Sequence, residues 1–335
     1  MPLMKLRKKS GLAPSKSVFL AFVAGFSVTT GVSADTLAQP EDNALERYAA
    51  NYIRFREDVA AIEAMKFDNA NATREAHRRL AAHDSKSLSA GWVAYAALVA
   101  ADTPEFADAL KSEMKKKKNR RSGALGGVDG LMSNLAQDPS YARELPGAEK
   151  AVAAVLAMTT SDGARIISLG EAFKTQAYAM QKTKWGKKRI APSQQRLNEA
   201  ASYSSSRSAP AMPAFNRAPE GGVTAPSLAS TNEHWGANWG TSASAGRMSE
   251  ANAEVIMDRV LNLAARYSTG KLNAKVVEVY ARNDKSDRCL SLSKLTLNQC
   301  IAATRAPYEE AFCLGEHGLN DIATCTGWIA GAGGS

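Results

Sequence analysis

The sequence predicts an all-α fold: an N-terminal helical bundle, a long low-complexity linker, and a small C-terminal helical module stapled by two disulfides. Three observations lead there. Apolar residues recur at helical spacing over most of the first half and again near the C-terminus. No comparable series of alternating apolar and polar residues accompanies them. All four cysteines fall in the final 47 of 335 residues.

Residues 1–34 have the three-part layout of a signal peptide. Lys5, Arg7, Lys8, Lys9 and Lys16 form a positive region without an acidic residue, Val18 to Phe26 is apolar, and Val32-Ser33-Ala34 offers small residues to a peptidase. Ser27, Thr29 and Thr30 interrupt the apolar run far short of the roughly 20 residues a membrane span needs. The mature chain is therefore expected to begin near Asp35, with no transmembrane segment after cleavage.

Residues 35–189 read as an α-helical domain. Leu45, Tyr48, Tyr52, Phe55, Val59 and Ile62 alternate three and four apart, a continuous stripe along one helix face. Residues 90–101 are apolar on every side, which places that helix at the centre of its domain. Thr103-Pro104 suits a cap and first turn ahead of Phe106, Leu110 and Met114. Val152, Val155 and Leu156 mark another helix, and Ser161-Asp162 could cap one carrying Ile166, Leu169, Phe173, Ala177 and Met180.

Between 190 and 247 Ser, Ala, Pro and Gly dominate and periodicity vanishes, so this tract is expected to be a mobile linker. Trp235 and Trp239 stand out in it as candidates for docking onto a glycan, a partner or this chain itself.

Residues 248–335 form the Cys-containing module. Ser249-Glu250 opens a helix with Ile256, Val260, Leu263, Ala264 and Tyr267 on its face, ended by Gly270. Val276, Val277, Val279 and Tyr280 fit a strand or a buried helix. Helical character resumes near Leu295, turns at Arg305-Ala306-Pro307, stops at Gly318 and restarts after Asn320. Cys289, Cys300, Cys313 and Cys325 lack the close Cys-x-x-Cys spacing usual in structural zinc sites, so disulfides are expected rather than a metal. Cys300 and Cys313 lie nearly equidistant from the 305–307 turn, which favours that pair and leaves Cys289 with Cys325. The alternative joins Cys289 to Cys300 and Cys313 to Cys325. The layout is similar in spacing to twin-cysteine helical hairpins, with different interval lengths.

Composition and motifs then bound the function. The formal charge of +9 loses five charges with the signal peptide, leaving +4 on the mature chain, too mild for a general nucleic-acid binder. The alanine-rich composition points to a bacterial envelope protein. Lys115, Lys116, Lys117, Lys118, Arg120 and Arg121 form a basic run that could meet an anionic polymer or simply favour a helix C-terminus. His317, beside Glu316 and near Asp321, is the one histidine with an acid/base neighbourhood. No phosphate-binding glycine loop, His-Glu-x-x-His or Gly-x-Ser-x-Gly occurs, and no cofactor is implied. The expectation is an exported, non-catalytic periplasmic or secreted binding or scaffold protein whose partner is an envelope protein, glycan or anionic polymer. The alternative is an exported hydrolase or cell-wall-modifying enzyme using Glu316, His317 and Asp321.

Overall fold

The computed structural model describes residues 44–117, 125–207 and 250–330, with side chains from 253 to 327 in the last stretch. The expected signal peptide at residues 1–34, the remainder of the expected linker from 208 to 247, Lys118, Arg120, Arg121 and Ser249 lie outside these residues, as do Trp235 and Trp239. Within them the regular structure is entirely helical.

The first stretch carries α1 (Ala44–Glu63), α2 (Ala70–Ala81), α3 (Ser85–Ala101) and α4 (Pro104–Lys115). The α1 stripe lies inward: Leu45, Tyr52, Phe55, Val59 and Ile62 are buried and Tyr48 partly so. Helix α3 is the central helix its composition predicts, buried almost continuously from Leu88 to Ala100. Pro104 occupies the first turn of α4, but Thr103 makes no side-chain cap. Its Oγ1 donates instead to the Val99 carbonyl of the preceding helix at 3.2 Å.

The second stretch holds α5 (Gly127–Gln137), a 3-10 turn (Tyr141–Glu144), α6 (Ala148–Met180) and α7 (Ser193–Ser206). Two helices were expected where α6 runs unbroken for 33 residues. Asp162 does not cap a helix; its buried carboxylate accepts from the Tyr52 hydroxyl of α1 at 3.0 Å and lies 2.9 Å from Arg56 Nε. A side chain engaged across an interface has no need to compete for backbone N–H groups. By length and hydropathy α6 could cross a membrane; in this fold its apolar face packs against other helices.

The third stretch carries α8 (Glu250–Ser268), α9 (Ala274–Ala281), α10 (Asp284–Ala303), α11 (Pro307–Cys313), a π-helical segment (Leu314–Asn320) and α12 (Asp321–Ala330). The valine run is helical: Asn273 caps α9 through Val276 N, Val277 is buried and Val279 exposed. Helix α10 begins earlier than Leu295, capped by Asn283. Gly318 does not stop the chain; it sits inside the wider π turn, where its missing side chain leaves room for Leu80 and Leu297. Cys289 bonds Cys325 and Cys300 bonds Cys313, with Cα separations of 5.6 and 5.7 Å. This is the favoured pairing, and it ties α10 to α12 and α11.

Two sequence boundaries are corrected. The expected linker from 190 begins as ordered chain: Ile190 N donates to the Arg305 carbonyl at 3.1 Å, and α7 packs on α2 and α10. Arg196 and Ala200 give α7 a buried face that its Ser-rich composition conceals. Nor do 35–189 and 248–335 form separate modules over their described parts. Helix α8 packs on α3, α11 and α12 pack on α6, and one hydrophobic core runs through both.

Candidate functional site

Two polar helix faces meet along α2 and α7. Asn69 starts α2, its Oδ1 accepting from Asn71 N at 2.8 Å and Ala72 N at 3.2 Å. Asn71, Arg74, Glu75 and Arg78 then fall on one side of α2 at helical spacing. Gln195, Asn198, Glu199, Ser202, Tyr203 and Ser206 do the same on α7. Together they line an open groove of about 850 Å³.

The groove is held from beneath by charge. Arg74 grips Glu199 with two hydrogen bonds, the Nε–Oε2 one at 2.6 Å, and Gln195 donates to the same carboxylate at 3.1 Å. The Arg74 hydrogen bond, followed by that of Gln195, outweighs desolvation and holds the Glu199 carboxyl below its ordinary range. At one end Arg78, Arg79 and Arg207 surround the Tyr203 ring, their guanidinium carbons 4.6, 5.7 and 5.0 Å from its centroid. Arg79 and Arg207 also pair with buried Asp58 of α1, which His83 Nε2 meets at 2.8 Å. Burial would raise the Asp58 pKa, but the hydrogen bonds from His83 and Arg207 prevail and lower it.

Deeper still, Arg196 on the opposite side of α7 pairs with Glu310 and donates to the carbonyls of Ala191, Ile301 and Thr304. His77 Nδ1 lies 3.4 Å from Glu310 Oε1. Burial, reinforced by the Arg196 charge, pushes His77 down to about 4, so it is neutral at neutral pH. Burial raises Glu310. These groups are enclosed and anchor the groove.

The groove therefore offers planar amides, guanidinium and carboxylate groups, hydroxyls and one aromatic ring, with two cations balanced by two anions in its lining. Sequence reading missed it because half of it lay in the tract assigned to a linker. The i, i+3, i+4, i+7 recurrence of polar residues at 195, 198, 199 and 202 was the available signal.

The residues singled out by sequence are only partly brought together. His317 Nδ1 is 2.9 Å from Asp321 Oδ2, one turn apart. Glu316 instead pairs with Lys174 of α6 at 2.7 Å. The notch beside His317, also lined by His83 and Lys294, has a volume of about 20 Å³, room for one water molecule. Lys115 ends α4 and Lys116 pairs with Glu113 one turn back; Lys117 is exposed beside them. Among the described residues no group of three or more His, Cys, Asp or Glu side chains could hold a metal ion. Comparison with family models, with curated proteins and with solved structures gives no match to this chain.

Proposed function

We propose that this is an exported, non-catalytic envelope protein that binds a glycan in the groove between α2 and α7. The observation that carries the reading is the lining of that groove. Uncharged amides and hydroxyls outnumber its balanced charges, and Tyr203 supplies an apolar face held in place by arginines. Such a surface suits a hydroxyl-rich chain of sugars, which needs many donors and acceptors and a ring to stack on. An anionic polymer would call for a net positive lining, which the groove lacks. Export is supported by the N-terminal signal layout and fits two disulfides, which persist in oxidising compartments.

The hydrolase reading draws on the His317–Asp321 pair. That pair borders only a one-water notch and, among the described residues, has no further acid, base or nucleophile gathered around it in a larger pocket, which supports binding as the stronger reading.

Calorimetric titration with soluble N-acetylated hexosamine oligosaccharides tests it. One-to-one binding is expected, with Asn198→Ala and Tyr203→Ala each weaker by about tenfold. Absence of binding across the panel, or full affinity in both variants, overturns the proposal. N-terminal sequencing of exported protein should begin at or near Asp35.

A further inference from the structure

We propose that the turn leaving α6, together with the start of α11, is a docking surface for a bilayer that carries anionic phospholipid, so that the protein sits against the membrane face without crossing it. The surface shares no residue with the α2–α7 groove, and the proposal does not rest on the glycan reading.

Its charge begins in the sequence. Between Glu171 and Glu199 the chain has no acidic residue, yet residues 182–189 read Lys-Thr-Lys-Trp-Gly-Lys-Lys-Arg. The turn they form is braced from within: Thr183 Oγ1 donates to the Met180 carbonyl at 2.8 Å and accepts from Gly186 N at 2.9 Å, and a Cβ at Gly186 would fall 2.0 Å from that carbonyl oxygen. Two backbone bonds fasten it beside α11, from Tyr308 N to the Gly186 carbonyl at 3.3 Å and from Ile190 N to the Arg305 carbonyl at 3.1 Å. Lys182, Lys184, Lys187, Lys188, Arg189 and Arg305 are all exposed, and among the described residues none of them makes an ion pair. Lys111, Lys150 and Lys271, by contrast, pair with Asp108, Glu105 and Asp129. Two acids stand at the start of α11. Glu310 is buried and paired with Arg196, and the Glu309 carboxylate accepts from Arg305 N, Ala306 N and the Tyr308 hydroxyl. Six outward cations beside the one remaining carboxylate make a concentrated positive face.

Aromatic side chains accompany the charge and select the partner. Tyr178, on the last turns of α6, is 64% exposed, and its ring meets Phe312 of α11 edge-on at 6.4 Å; Trp185 in the turn and Tyr308 are partly buried beside them. Basic side chains around tyrosine and tryptophan suit a bilayer surface, where the headgroup charge attracts the cations and an amphipathic ring enters the headgroup layer with its polar tip still wet. Four of the six cations are lysines, compact point charges that answer a diffuse charged surface and need no fixed fork geometry. Single-stranded nucleic acid also joins charge to stacking, but it needs a series of open ring faces. Here Tyr178 and Phe312 stand at 74° to one another and Trp185 leans on the core, so no such series is presented.

Vesicle co-sedimentation tests it, with the disulfide-bonded chain from Asp35 onward, because the basic, apolar segment before it would bind vesicles by itself. Binding is expected to equimolar phosphatidylglycerol and phosphatidylcholine, to be absent with phosphatidylcholine alone, and to fall as sodium chloride is raised. The triple variant Lys187→Gln/Lys188→Gln/Arg189→Gln, all at exposed positions, should bind the mixed vesicles about a hundredfold more weakly, and Tyr178→Ala several-fold more weakly. Lys111→Gln/Lys150→Gln/Lys271→Gln removes the same net charge from paired lysines and should change binding by no more than about twofold. The proposal is overturned if the mixed vesicles do not bind, if both vesicles bind equally, or if the two triple variants behave alike. Tight binding of a single-stranded oligothymidine by a chain that ignores the vesicles would assign the surface to nucleic acid instead.

Discussion

Arg196 Nη1 donates to Glu310 Oε1 at 2.8 Å across the junction of α7 and α11, and neither side chain is more than 1% exposed. The pair is the most deeply buried of the polar links that tie α7 into the bundle. Removing one partner strands the other charge in a desolvated site, so Arg196→Ala should cost about 3–5 kcal/mol. Arg196→Met combined with Glu310→Leu should cost less than that single change, because no buried charge is left behind. Urea denaturation of the three proteins checks the order. A double variant as unstable as Arg196→Ala would show that the lost carbonyl contacts dominate.

His77 carries the clearest pH dependence. Its pKa is pushed down to about 4 in the folded state against 6.5 unfolded, first by burial and then by Arg196. Between these values the unfolded chain binds the extra proton, so stability is full above about pH 6.5 and falls as pH drops towards 4. The loss approaches an order of 3 kcal/mol if the site stays closed. Glu310, raised by burial, works the other way, and Glu199 across the site favours the charged imidazole. Comparing the wild type with His77→Gln isolates the histidine: the difference in stability should change with pH in this window. A constant difference would contradict it.

The two disulfides should differ in weight. Cys300–Cys313 closes a loop with a separation of 13 residues and Cys289–Cys325 one of 36. Loop-closure entropy then gives roughly 3 and 4 kcal/mol respectively. Paired Cys→Ser variants, each removing one bridge, should melt in that order, with Cys289→Ser/Cys325→Ser the less stable. Non-reducing peptide mapping of the protein should recover these partners; Cys289 joined to Cys300 would contradict the arrangement.

The fold class was legible because helical stripes such as Leu45 to Ile62 bury themselves much as their spacing dictates. The cysteine pairing followed from symmetry about a turn that Pro307 marks. What stayed hidden depends on partners far away in sequence. Ser, Gln and Arg at 193–206 resemble a linker until Glu310 and the α10 carbonyls are brought to Arg196. Asp162 looks like a cap until Tyr52, 110 residues earlier, claims it. The His317–Asp321 contact was readable from spacing alone, but the size of the notch beside it was not. The groove shared this fate, since its two faces come from helices with no local signal that they meet.

Gly170 and Gly315 supply the last prediction. Here α6 and the π-helical segment cross with their backbones in near contact: a Cβ added at Gly315 would lie 2.5 Å from the Gly170 carbonyl oxygen and 3.0 Å from Phe173 Cβ. One added at Gly170 would lie 2.8 Å from the Gly315 carbonyl oxygen and strike the Asn320 amide. A carbonyl within a helix cannot swing aside as a flexible side chain can, so the helices must part. Either Gly→Ala change should therefore destabilise by about 1–3 kcal/mol, the usual penalty for overpacking. Gly163, seven residues earlier on the same helix, provides the control, because a Cβ there meets nothing within 4 Å. Gly163→Ala should instead stabilise by about 0.5–1 kcal/mol, since alanine loses less backbone entropy in a helix. Thermal melts of the three variants read out the sign. If all three stabilise, the close crossing of α6 with the π-helical segment is wrong, and the position of His317 beside α10 falls with it.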